Sequence, residues 1–154
     1  MQNPLRQMNR NIQGNSSRRF MTNINLDYNI KKWLSVAGRA RADVKIGDFH
    51  RKLYASTDKL FAGGDNGLYA FTKEEDRQRY ADVISTINKR WNEEFSLFAN
   101  VGASIFDVQY SGAGGRGPLK DIPNYFSLME VDPFGANGSP IQDRWRDQTQ
   151  SVFA

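Results

Sequence analysis

One histidine, His50, and no cysteine stand in the chain. Imidazole is the side chain best suited to proton transfer near neutral pH, and Asp48 lies two residues away. A catalytic triad or a metal centre needs further groups held around the ring. The residues on either side of His50 read as polar connection and supply none, so His50 is expected to be a solvated loop histidine.

The run Gly112-Ala113-Gly114-Gly115-Arg116-Gly117 fits G-x-G-x-x-G and follows a strand-like segment. Dinucleotide binding requires a helix to begin directly afterwards, because its N-terminus holds the pyrophosphate. Pro118 and Pro123 follow instead, without helical periodicity. The glycines are therefore expected to serve loop turns. The acids Asp43, Asp48, Glu74, Glu75, Asp76, Glu93, Glu94 and Asp107 could in principle pair for glycosidase-like work. They fall on polar strand faces and in loops, and converge nowhere. Loop aromatics Phe49, Tyr54, Phe61, Tyr69 and Phe134 could stack on sugar rings or simply pack the loops. Absence of cysteine excludes disulfides and thiolate metal sites. The expectation is a chain that is not an enzyme, with no catalytic residue, no metal site and no cofactor, and with substrate-binding residues unassigned.

Composition points to an unusual background for these residues. Hydrophobic residues make up 39%, while 13 residues are glycine and 10 are phenylalanine. The net charge of +4 is scattered, with Arg18-Arg19 and Lys31-Lys32 the only compact basic pairs outside mixed segments. A nucleic-acid groove would cluster basic and stacking residues on one face, so no nucleic acid is expected as a partner. No run of about 18 apolar residues exists, which excludes a transmembrane helix. A membrane barrel stays open, since its strands alternate apolar and polar residues.

That alternation is present. Residues 1–17 are polar and irregular and read as loop. From there Phe20, Thr22, Ile24, Leu26, Tyr28 and Ile30 alternate with Met21, Asn23, Asn25, Asp27 and Asn29. After a turn at Lys31-Lys32, Leu34, Val36, Gly38, Ala40, Ala42 and Val44 alternate with Ser35, Ala37, Arg39, Arg41 and Asp43. Period two separates one apolar face from one polar face. Strands are predicted over 20–30 and 34–45, each near the roughly 9–11 residues that a tilted strand needs to cross a bilayer. A long connection over 45–79 follows, holding Gly63-Gly64-Asp65-Asn66-Gly67. Residues 72–88 carry mixed signals. Thr72 with Glu75 has the form of a capping box, whereas Val83-Ile84-Ser85-Thr86-Ile87 favours a strand. A strand over 80–90 is expected, after one helical turn at 72–79. A turn at Asn92-Glu93-Glu94 leads to a strand over 95–108, with Leu97, Val101 and Ile105 alternating with Ser96, Asn100 and Ser104. Another long loop with glycines and prolines runs on from Tyr110, and strand character returns at 148–154.

Connections that run short, long, short, long suit an all-β antiparallel meander in a barrel wall, with tight periplasmic turns and two long extracellular loops. Tyr28, Trp33, Trp91 and Phe95 flank the short turns, and Phe20, Phe106 and Tyr110 lie near the opposite strand ends, as interfacial aromatic belts would.

Three blocks carry a family resemblance. Arg19-Phe20, Asn23, Leu26 and Tyr28, then Trp33-Leu34-Ser35 and Gly38-Arg39, resemble the early barrel hairpin of SusC/RagA-type TonB-dependent transporters. Asp121-Ile122-Pro123-Asn124-Tyr125-Phe126-Ser127-Leu128 is similar to a later loop segment of that family, and Thr149-Gln150-Ser151-Val152-Phe153-Ala154 to the start of its next strand. Met129-Glu130 departs from the family, which usually continues with Asn after Phe-Ser. The resemblance implies that residues 1–154 are a partial barrel domain. A leader, the TonB-contacting segment, the plug and most strands are expected to lie outside it. For the parent protein it implies residence in the cell outer membrane and import of oligosaccharides or peptides. Energy would be relayed through TonB, and a SusD-like surface lipoprotein would be the partner. The alternative is a soluble antiparallel β-domain acting as a surface carbohydrate-binding or interaction module.

Overall fold

Alternating side chains are satisfied by extended backbone, and the chain uses it almost throughout. The computed structural model describes residues 10–154. Five strands follow in order: β1 (Asn11–Lys31), β2 (Leu34–Tyr54), β3 (Gly67–Arg90), β4 (Ser96–Pro118) and β5 (Ser139–Phe153). They pair in that same order as one antiparallel meander. Four of them run to 21, 21, 24 and 23 residues, about twice what a tilted strand needs to cross a bilayer. Connections are short at 32–33 and 91–95 and longer at 55–66 and 119–138, the expected rhythm.

The boundaries differ from the sequence expectation, almost always in favour of strand; Phe95 and Ala154 alone fall just outside theirs. Residues 11–17, read as loop, begin β1; the first nine residues of that reading lie outside the described residues. The connection over 45–79 shrinks to 55–66, because β2 continues to Tyr54 and β3 starts at Gly67. The helical turn expected at 72–79 is strand. Its Lys-Glu-Glu-Asp-Arg-Gln-Arg run has no apolar face, and pairing with β2 and β4 overrides the local helical signal. The glycine run 112–117 belongs to β4, and β5 begins at Ser139 rather than 148. His50 accordingly sits in a strand, not in a loop.

The described residues divide into two units. One comprises 10–18, 46–75 and 110–144. Its core is Leu53, Ala62, Leu68 and Ala70, with Phe49 packed against it. Full burial of each leucine is worth about 1.5–3 kcal/mol. Within 55–66, a short helix α1 (Lys59–Ala62) is capped by Asp58, whose carboxylate accepts from the Leu60 N–H at 3.0 Å. Segment 119–138 has little regular structure but is well bonded. Asn66 Nδ2 donates to the Lys120 carbonyl at 2.7 Å, and Asn124 Oδ1 accepts from the Ala55 N–H at 2.8 Å. Asn137 Nδ2 donates to the Leu60 carbonyl at 3.2 Å. Phe126 meets Tyr54 edge-on at 5.0 Å between centroids and lies 6.0 Å from Tyr69, whose phenol burial pushes above its ordinary pKa.

The second unit comprises 19–45, 76–109 and 145–154, portions of all five strands. It has two chemically distinct faces.

Candidate functional site

On one face of the second unit, guanidinium groups reach across strand boundaries to carboxylates. Arg19 of β1 grips Asp43 of β2, with Nε 2.9 Å from Oδ1. Arg41 adds a bond to the same carboxylate at 3.2 Å. Arg39 of β2 grips Asp82 of β3, Nε to Oδ1 at 2.9 Å and Nη2 to Oδ2 at 2.7 Å, and the Tyr80 hydroxyl donates to Oδ2 as well. Both Asp side chains are buried, at 4% and 1% exposure, while the three arginines stay about half exposed. Two-pronged guanidinium binding offsets the desolvation of a carboxylate better than a single ammonium would.

These contacts fix which residues share the face. Arg19, Arg39, Arg41, Asp43, Tyr80 and Asp82 are on it together. Strand alternation then puts Asn23 and Asn25 with them, and Ile24, Leu26, Val36 and Ala40 on the opposite side. The contacts of Arg39 and Arg41 agree with the polar face that the period-two reading gave them. Beside the rungs lies a cavity of about 370 Å³ lined by Arg41, Gln78, Tyr80 and Phe106. Phe106 thus belongs to the polar side, with Asn100, leaving Leu97, Val101 and Ile105 on the apolar one.

One rung departs from this division. Asp107, next to Phe106 and so on the opposite face, is buried and accepts from Arg146 Nε of β5 at 2.7 Å and from Gln109 Nε2 at 3.3 Å. The apolar side therefore also carries an ion pair, at the far end of the Leu97–Ile105 run.

The residues with chemical potential come together in few places. His50 lies over Gly14 of β1, where any Cβ would collide with the imidazole. Asp48 shares the His50 side of β2 by alternation and makes no hydrogen bond to the ring. Among the described residues, no three His, Asp or Glu side chains gather as a metal site. Gly114 packs so closely on β3 that a Cβ would run into the Phe71 carbonyl. Its lack of a side chain serves strand pairing, not a phosphate turn. Of the eight acids considered from sequence, Asp43 and Asp107 are held by arginine, and Gln78 reaches Asp76 at 3.3 Å. The loop aromatics split, with Tyr54 and Tyr69 packing on Phe126, Phe49 joining the core, and Phe61 and Phe134 exposed.

Sequence reading missed Asp82, Arg19, Tyr80 and Arg146 as partners. Asp82 sat in the stretch with mixed helix and strand signals, so its face was undefined. The available signal was the same-face series Arg39, Arg41, Asp43, which has more cations than it can neutralise itself. Chemically, a carboxylate held by a two-pronged guanidinium is a poor proton acceptor, so the rungs work as cross-strand clamps.

No protein-family model matches this chain, and no curated protein is significantly similar to it.

Proposed function

We propose that the chain forms part of the wall of an outer-membrane β-barrel, in a TonB-dependent transporter of the SusC/RagA type. The observation that carries this reading is the pairing of strand length with facial chemistry. Soluble strands centre on about 5–6 residues, and four strands here exceed 20. Their portions in the second unit set exposed Ile24, Leu26, Val83, Leu97 and Val101 against exposed-to-buried guanidinium–carboxylate rungs. Lipid on the first face and an aqueous, plugged lumen on the second would satisfy both. The whole protein would import oligosaccharides or peptides, with TonB supplying energy and a SusD-like lipoprotein at the surface. The short, long, short, long connections and the three resembling sequence blocks support that more specific part.

Absence of native cysteine makes the test direct. Single cysteines at Ile24, Leu26, Val36, Leu97 and Val101 should resist a membrane-impermeant maleimide in cells. Cysteines at Asn23, Asn25 and Asn100 should react once the lumen is open to the reagent. Protection should alternate with period two, and the chain should fractionate with the outer membrane. Uniform labelling of both sets, with recovery in the soluble fraction, would instead favour the soluble surface module.

A further inference from the structure

The two short turns bring tryptophan and lysine together. Lys89 Nζ lies 4.9 Å from the ring centroid of Trp33 and 4.8 Å from that of Trp91. Lys31 Nζ lies 5.5 Å from the same Trp33 ring. Lys32 and Arg90 adjoin these residues in sequence, and Lys31, Lys32, Arg90 and Trp91 are exposed. None of these four cations pairs with a carboxylate among the described residues. Glu93 and Glu94 in the following turn only partly balance them, so the cluster stays net positive.

Its position on the sheet is as informative as its charge. Asp82 defines the polar side of β3, so Val83, Ile87, Lys89 and Trp91 fall on the other side by alternation. Lys89 therefore sits at the end of an apolar strip, whereas the same alternation puts Lys31 and Arg90 on the polar side of their strands, next to it at the sheet end. An ammonium between two indole faces is partly desolvated and held in place. Its remaining N–H donors suit an anionic oxygen, and indoles favour the boundary between headgroups and acyl chains.

We propose that Lys31, Lys89, Trp33 and Trp91, with Lys32 and Arg90 beside them, bind the phosphate of an anionic phospholipid headgroup. This rests on the membrane reading above. A free phosphate would satisfy the cations but leave the indoles and the adjoining apolar strip uncovered, so the lipid is the better complement.

The test uses the full chain with Trp145→Phe, so that emission comes from Trp33 and Trp91 alone. It is reconstituted in mixed phosphatidylcholine–phosphatidylglycerol vesicles in which one lipid or the other carries brominated acyl chains. Brominated phosphatidylglycerol should quench more strongly than the same fraction of brominated phosphatidylcholine. Each basic residue near an anionic surface contributes about fivefold in partition, so Lys89→Gln with Lys31→Gln should remove most of the preference, and Lys89→Arg should keep it. Equal quenching by the two lipids, or a preference unchanged by the glutamine pair, overturns the lipid site and leaves the barrel reading standing. No quenching by either lipid overturns both. A preference abolished by low concentrations of inorganic phosphate assigns the cluster to the free ion and overturns the lipid assignment.

Discussion

Two buried carboxylates of the polar face have two partners each but differ in how many of them are cations, and this gives a graded expectation. Asp82 depends on Arg39 and Tyr80, whereas Asp43 is shared by Arg19 and Arg41. Leaving a buried charge short of donors is the expensive event. Arg39→Ala should therefore be the more destabilising of the two single variants, since a single phenol remains for Asp82. Arg19→Ala should lower the unfolding midpoint clearly less, because Arg41 still reaches Asp43. Urea unfolding in detergent micelles, with the slope unchanged, measures both, and equal losses would contradict the sharing of Asp43. Replacing Arg39 and Asp82 together by isosteric neutral residues should recover much of the single-variant loss, as removal of both partners leaves no orphan.

At the scale of elements, β4 offers a contrast between two adjacent glycines. A Cβ at Gly114 meets the backbone of Phe71 and Thr72, while at Gly115 the nearest atom is Leu128 Cδ2 at 4.0 Å. Gly114→Ala should cost about 1–3 kcal/mol by forcing β3 and β4 apart. Gly115→Ala should be within about 0.5 kcal/mol of neutral. Both are read from unfolding midpoints. The same strand explains what could and could not be read from sequence. The cores of β1, β2 and β4 were legible because Ile24, Leu26, Val36, Leu97 and Val101 alternate cleanly with polar residues. Their extensions were not. Residues 45–54 mix charge and apolar groups on both sides, 72–79 are almost wholly polar, and 112–117 are rich in glycine. Those segments are strands because neighbouring strands continue beside them, a cause that no local window contains. The rungs were half legible, since Arg39, Arg41 and Asp43 declared a charged face but not that Asp82 would answer it.

At the scale of the whole molecule, the sheet of the described residues ends in two edge strands, β1 and β5, each paired on one side. Edges of that length, beside exposed Phe20, Leu26 and Tyr28, are templates for further pairing. The chain should therefore self-associate in plain buffer and become monodisperse in detergent, as read by light scattering across the detergent's micelle concentration. A monodisperse monomer in buffer would instead fit the soluble module.

The order β1-β2-β3-β4-β5 also governs how the sheet can be built. Every strand pairs only with its neighbours in the chain, so each interface can close outward from its own connection. Closure of so local a loop demands little chain entropy, and hairpin formation is a matter of microseconds. Within these five strands, none must wait for a partner synthesised much later. Assembly can follow the direction in which the chain is delivered, with β1–β2 as a scaffold for β3 and each new strand taking over the open edge.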